Sequence, residues 1–414
     1  MAEAETGAPI WAIGVMTGTS GDGVDLALLQ SDGATVFGFG PTLGLAASER
    51  MRALVSDAGR RAALADPALL RDPSSWPADL RAQDRAIAEW LCWAIDGFRL
   101  ELEPIGPGYD KQSSGDGTAS QPNGSSGWAA FLDRPGQGAI GVHGQTVLHR
   151  PDIGLTLQLG LSEQLRPARF HLPLVTDFRQ ADLAAGGEGA PLAPFFHHAC
   201  ARWAGLTAPV AFLNIGGVAN VTWLDPGIAD PVDACLAFDT GPGNALIDDW
   251  MQARTGAAID REGATAAVGR AQPLRSNAAR AFLARTPPKS LDRNEFSGVL
   301  AQVDGLTTED GAATLTQFTV DCIIAAQAHM PSPPSRWLVC GGGRHNATLM
   351  RMLGEALDAP VDPVETVGLD GDFLEAQAFA YLAVRVLRGL PTSAPRTTGC
   401  SAPVCGGKIS RRDA

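Results

Sequence analysis

Twice along this chain an apolar strand runs into a glycine-rich turn and straight out into a second strand. The first instance is "IWAIGVMTGTSGDGVDLALLQ", Ile10–Gln30, and the second is "VAFLNIGGVANVTWL", Val210–Leu224. Short apolar runs bounded by Gly, Ser and Asp read as strands joined by a turn. A chain that opens this way twice predicts two related α/β halves, with a nucleotide clamped between them.

The remaining pattern fits that outline. A third strand is predicted over "ATVFGFG" (34–40). Leu80, Ile87, Leu91, Ala94 and Phe98 form an apolar stripe at helical spacing within 77–101. Strands are predicted over "GAIGVHGQTV", "LTLQLG" and "PLVTDFR", and helices over 188–204, 312–330 and 373–388. The last helix stops at Gly389, with Pro391 just beyond. "ACLAFDTGPGNALIDDWMQART" and "WLVCGGGRHNATLMRML" each read as strand, glycine turn and helix. Residues 106–127 are rich in Gly and Ser and nearly devoid of apolar side chains. Such a segment cannot bury enough surface to offset its ordering entropy and is expected to be a disordered insertion.

Composition removes several function classes. The 414 residues carry a formal net charge of −13, which argues against a nucleic-acid backbone or an anionic membrane as partner. Seven dispersed cysteines are not a disulfide framework. Neither a signal peptide nor a bilayer-spanning run is evident, so a cytoplasmic protein is expected. His197 and His198 are adjacent and would diverge on a helix, so they do not make a metal site by themselves.

Three glycine turns, "TGTSGDGVD", "LNIGGVAN" and "CGGGRHN", offer backbone N–H groups unshielded by side chains, as phosphate-binding nests do. Each taken alone is equally an ordinary turn. No Walker motif and no Gly-x-Gly-x-x-Gly after the first strand is present, so the expected nucleotide fold is neither P-loop nor Rossmann. In "LAFDTGPGNALIDDW" a carboxylate, Asp239, sits at the lip of a fourth glycine turn, either as a turn-former or as a chemical group. Asn244 is placed to cap the helix that follows. "HGQTV" sets His143 and a Gln at a strand end. "TDFRQADLAAGGEGAPL" carries Arg179, whose planar fork suits a carboxylate, and Asp182. Asp372 and Glu375 have the spacing of a capping box. Magnesium held through nucleotide phosphates needs no dedicated motif, and Asp22 and Asp239 are the acids best placed to help it.

In order along the chain, "GVMTGTSGDGVD", "HGQTV", "DFRQADLAAGGEGAPL", "LNIGGVANVT", "FDTGPGN", "CGGGRHN", "EAQAFAYLA" and "LPTSAPRTTGC" resemble the 1,6-anhydro-N-acetylmuramic acid kinase family. That family belongs to the actin/hexokinase/Hsp70-like ATPase superfamily. The chain departs from its usual pattern at Gly21, where Leu is common, in the 106–127 insertion, and within "PPKSLDRNEF". The resemblance implies two ribonuclease-H-like, actin-like ATPase domains with a nucleotide cleft between them. It places 1–205 plus 369–414 in the first domain and 206–368 in the second. It implies ATP and Mg²⁺ as cofactors, a small amino-sugar substrate, no nucleic-acid or membrane partner, and a homodimer.

The activity so implied couples two events. Water attacks C1 of the anhydro sugar, and the released O6 attacks the γ-phosphate, giving N-acetylmuramic acid 6-phosphate for cell-wall recycling. By the same resemblance Asp239 is the general base and Glu375 its partner at the sugar, with His143, Arg179 and Asp182 lining the sugar site. The implied nucleotide contacts are Gly18, Thr19, Ser20, Gly21, Asp22, Gly23, Val24 and Asp25 in the first loop. Gly216, Gly217, Asn220, Gly241, Gly243, Asn244, Gly341, Gly342, Gly343 and Asn346 complete them. The alternatives are a plain sugar or carboxylate kinase acting on a free hydroxyl, and an ATP-switched chaperone or filament protein.

Overall fold

A computed structural model describes residues 7–18, 21–102, 138–166, 172–291 and 295–410. Thr19, Ser20 and the 106–127 segment lie outside the described residues. The chain divides into two compact units. The first comprises Met1–Gly189, Glu375–Ser393 and Cys400–Ala414, and the second comprises Ala190–Leu374 and Ala394–Gly399.

In the first unit, β1 (Ile10–Met16), β2 (Gly23–Ser31) and β3 (Val36–Ala46) form an antiparallel meander. β4 (Gly138–Val142) then runs parallel to β1, and β7 (Leu174–Thr176) parallel to β4. A short β13 (Lys408–Ser410) covers the β7 edge, leaving the sheet order β13-β7-β4-β1-β2-β3. β5 (Gln145–Arg150) and β6 (Leu155–Leu159) form a separate hairpin.

The second unit repeats the scheme. β8 (Val210–Ile215), β9 (Val218–Leu224) and β10 (Cys235–Pro242) make the meander, and β11 (Trp337–Cys340) and β12 (Val361–Pro363) add parallel strands beyond β8. The order β10-β9-β8-β11-β12 matches β3-β2-β1-β4-β7 strand for strand. The two hairpin openings in the sequence thus head two copies of one ribonuclease-H-like arrangement. A parallel strand added beside a meander requires a crossover; the helices Glu49–Leu64 and Ala78–Leu102 lie between β3 and β4, and the β5–β6 hairpin between β4 and β7.

Two sequence expectations shift. "GAIGVHGQTV" is two strands, because Gly144 takes the left-handed conformation (φ 78°) and diverts the chain out of the main sheet after His143. The helix expected over 188–204 is Pro194–Trp203, with Pro194 in its first turn. Proline's fixed φ and missing N–H suit that position and no later one.

The element that orders the first unit is the helix Leu374–Leu387. Gly14 of β1 and Gly141 of β4 stand side by side in register, and the helix backbone lies directly on them. A Cβ on Gly14 would come within 1.7 Å of the Ala376 carbonyl oxygen, and one on Gly141 within 2.2 Å of that of Phe379. Both obstacles are backbone and cannot swing aside. Replacing either glycine by alanine is therefore expected to cost about 1–3 kcal/mol or more, lowering Tm by several degrees. Gly97, inside the helix Ala78–Leu102, is the control, since a Cβ there would meet nothing within 4 Å. Gly97→Ala is expected to raise Tm, and differential scanning calorimetry on the three variants checks both signs.

Candidate functional site

Each unit gathers its polar residues at the carboxyl ends of its parallel strands, where ligands of open α/β sheets bind. The first unit does so at the ends of β1, β4 and β7. β1 leads into Thr17 and Gly18, β4 into His143 and β7 into Asp177–Arg179. Phe379, carried by the helix resting on the two glycines, packs its ring 4.7 Å from that of His143. Arg179 donates to His143 Nε2 from Nε (3.1 Å) and from Nη2 (2.9 Å), and its Nη1 donates to the Gly189 carbonyl (3.1 Å). Two N–H donors on Nε2 leave the imidazole proton on Nδ1, and that nitrogen is buried without a hydrogen-bond partner.

Burial, and after it the charge of Arg179, holds His143 well below its ordinary pKa of 6.5. Arg179 is itself lowered to about 10 by burial, with the carboxylates of Glu375 and Asp182 pulling it back up. His143 is thus a neutral wedge that orients a charged Arg179. It is not a proton donor near neutral pH. Glu375 is exposed at the start of its helix. Asp372, its capping partner by spacing, has its carboxylate on Arg344 at 2.8 Å.

Asp182 corrects an expectation. It is completely buried, and its carboxylate accepts from the Gly189 N–H (2.7 Å) and from the Ser393 hydroxyl. A group with no exposed surface cannot line a sugar pocket; it shapes the loop that presents the Gly189 carbonyl to Arg179. In the first glycine turn, Val24 is fully buried, while Asp22 is exposed and Asp25 half-buried. Gly21 is left-handed (φ 65°) and packed against Val55, and Gly23 lies against the Leu45 carbonyl. Gln145, absent from the expected site, is fully buried and donates from Nε2 to the Gly18 carbonyl at 2.8 Å. It ties the "HGQ" strand to the first turn, and a polar residue beside a strand-end glycine is its only signal in the sequence.

The second unit brings together the carboxyl ends of β8, β10 and β11. Asn214 pairs with Asn220, and Asn220 with Asp239, in a polar row across β8, β9 and β10. Their neighbours Leu213, Ile215, Val221 and Phe238 alternate to the other face and enter the core. A bulge between Asp239 and Gly241 ends the regular pairing here, a device that re-aims side chains. The Asp239 carboxylate accepts from the Leu291 N–H at 2.8 Å, and its own N–H donates to the Lys289 carbonyl at 2.9 Å. Asn214 is likewise absent from the expected site, although an Asn inside the apolar run "VAFLNI" is a visible sign.

The glycines divide into two kinds. A Cβ would strike Cys322 from Gly241, the Gly216 carbonyl from Gly243, Asn214 from Gly341 and Ile215 from Gly343. These four are glycine because the protein packs on them. By contrast, a Cβ on Gly342 would meet nothing within 4 Å, and one on Gly216 or Gly217 only single atoms at 3.4 and 3.9 Å. Gly216, Gly217 and Gly342 follow the ends of β8 and β11, and packing alone does not require glycine at any of the three.

Asn244 corrects a second expectation. It stands at the N-cap position of the helix Ala245–Thr255 but makes no side-chain cap. Its amide donates to the carbonyls of Ile215 (3.1 Å) and Gly216 (3.2 Å). The N–H groups of Gly243 and Asn244 also donate to the carbonyls of Gly217 and Gly216. The "DTGPGN" turn therefore braces the neighbouring β8 turn. Asn346 caps the helix Ala347–Ala356 through the Leu349 N–H.

Among the described residues no group of three or more His, Cys, Asp or Glu side chains could hold a metal ion. His197 stacks on Phe212 and bonds Thr222, whereas His198 bonds the Ile228 carbonyl. All seven cysteines are free thiols, and no described helix is long and apolar enough to cross a membrane.

The family model for anhydro-N-acetylmuramic acid kinase matches residues 133–411. Three proteins named anhydro-N-acetylmuramic acid kinase align over almost the whole chain. That of Ruegeria sp. is 45% identical, covering 97% of this chain and 95% of its own. That of Cereibacter sphaeroides is 47% identical, covering 99% and 98%. That of Rhodospirillum rubrum is 45% identical, covering 97% and 95%.

Two outcomes follow from the buried histidines. His143 is expected to titrate well below the ordinary histidine range in an NMR titration, and Arg179→Gln, which removes a repelling charge, to raise its pKa. Burial likewise lowers His197 to about 3. Unfolded histidines protonate near 6.5, so stability present above that pH falls below it. The loss is about 1.4 kcal/mol per pH unit for each histidine, until its folded pKa is reached. Urea midpoints at pH 7 and pH 5.5 measure the fall.

Proposed function

The chain belongs to the anhydro-N-acetylmuramic acid kinase family, and from that premise we propose how its residues divide the work. The enzyme opens the 1,6-anhydro bridge of anhydro-N-acetylmuramic acid with water and phosphorylates O6, in the service of cell-wall recycling. The observation that most supports the division is the polar row Asn214–Asn220–Asp239 at the same strand ends as the open glycines Gly216, Gly217 and Gly342.

Asp239 is the general base. It removes a proton from the water whose oxygen bonds to C1 as the C1–O6 bond breaks, which resembles inverting glycoside hydrolysis. The Leu291 N–H on its carboxylate favours the ionised form at neutral pH. O6 needs no proton from an acid, because it leaves into a bond with the transferred phosphorus. Glu375 orients the water or the sugar. Arg179, aimed by His143 and the Gly189 carbonyl, holds an anionic or polar group of the sugar. Gly216, Gly217 and Gly342 carry phosphate oxygens on backbone N–H groups, with the first turn, Gly18 to Asp25, as a further contact. ATP would supply the phosphoryl group and Mg²⁺ would spread its charge; the fit rests on the open space over Gly216, Gly217 and Gly342. A soluble cytoplasmic homodimer completes the proposal.

Asp239→Asn is expected to lower kcat by about 10²–10⁴-fold while ATP still binds. Near-normal phosphorylation of the anhydro sugar by that variant would sink the assignment. In ¹⁸O-water, product mass is expected to show one label at the anomeric hydroxyl. Product formed only from the already reducing sugar would favour a plain kinase instead.

A further inference from the structure

Lys289 is buried, at 2% exposure, with no carboxylate among the described hydrogen-bond partners of its ammonium. It donates instead to the carbonyls of Phe282 and Leu283, each at 3.1 Å, in the last turn of the helix Asn277–Ala284. A cation at a helix C-terminus meets its orphan carbonyls and the negative end of its dipole. Aromatic rings close the socket. The ammonium lies 4.8 Å from the Phe282 ring centroid and 5.6 Å from that of Phe238. His329, whose Nε2 donates to the Leu283 carbonyl at 2.9 Å, packs edge-on against Phe238.

A lysine in such a place is costly unless something is gained. The gain is visible in the backbone beside it. The Lys289 carbonyl accepts the Asp239 N–H (2.9 Å), and two residues later the Leu291 N–H donates to the Asp239 carboxylate (2.8 Å). Phe238, one wall of the socket, is the residue before Asp239. We propose that Lys289 is a positioning residue for Asp239: its plugged ammonium pins the short segment that grips Asp239 at both ends, and its charge keeps that carboxylate ionised. This rests on Asp239 being the base.

The electrostatics agree with the geometry. Burial, then Arg285, lowers Lys289 to about 8, and Cys322 and Asp239 oppose the shift. Besides these, the groups packed nearby are His329 and, against Cys322, Asp321. Loss of the lysine charge and loss of the Leu291 bond both raise the Asp239 pKa, so their effects on the acid side of a pH profile have the same sign.

Lys289→Met keeps the shape and removes charge and donor; Lys289→Gln keeps a donor without the charge. For Lys289→Met, a fall in kcat of about 10- to 100-fold is expected, with KM for ATP near that of the unaltered enzyme. The acid limb of kcat/KM is expected to move up by roughly half to one pH unit, and Lys289→Gln to recover part of kcat. A folded Lys289→Met enzyme with unaltered kcat and acid limb overturns the inference. So does a loss of kcat in step with a rise in KM for ATP and an unmoved acid limb, the mark of a merely structural pin. If Lys289→Met does not fold, Lys289→Gln is held to the same criteria. Asp239→Asn, measured alongside, separates the failures. Its retention of turnover overturns the base assignment and this inference together. An inactive Asp239→Asn beside an unaffected Lys289 variant overturns this inference alone.

Discussion

The first unit depends on one close approach, a helix backbone lying on two glycines that pair across β1 and β4. At Gly14 and Gly141 no side chain of any size fits beneath Leu374–Leu387. That contact sets the depth of the helix, and through it the place of everything the helix carries. Phe379 reaches His143, His143 turns Arg179, and Glu375 enters the field of Arg179. A methyl group at the base of this stack would displace the polar residues at its top, because close-packed interiors transmit strain rather than absorb it.

The second unit reaches a comparable end by different means. Its loops are held to one another rather than hung from one helix. Asn244 and the N–H groups of Gly243 and Asn244 bind the β8 turn, Gly241 and Gly243 let the loops close, and Lys289 pins the segment on Asp239. At the ends of β8 and β11 the glycines left open are Gly216, Gly217 and Gly342. Preorganised backbone dipoles of this sort stabilise charge without reorganising when it arrives.

Much of this is visible in the residues themselves. The two strand–turn–strand openings foretell the duplicated sheet, because alternation and glycine punctuation are local signals. Asp239 at a strand end is visible for the same reason. The identity of each glycine's neighbour is not. "DTGPGN" looks like a phosphate cradle and is a brace, since the Gly216 carbonyl that occupies one of its N–H groups is distant in sequence. Asp182 looks like a ligand and is a buried loop organiser, because Ser393 lies over two hundred positions away. Lys289 carries no such mark, because nothing nearby in sequence shows a lysine to be buried, and the glycine beside Gln145 does not show that its amide is a tether. Long-range partners decide whether a polar residue is exposed, and a single sequence does not print them.

The glycine pair also orders events in time. The helix that covers this pair ends at Leu387, whereas β1 begins at Ile10 and β4 at Gly138. The second unit, drawn almost wholly from Ala190–Leu374, has nearly all its parts before that helix is made. During synthesis the earlier-made sheet therefore waits with its glycine groove bare while the later unit gathers its own core. A chain made only that far exposes a strip of sheet that the helix Leu374–Leu387 is shaped to cover.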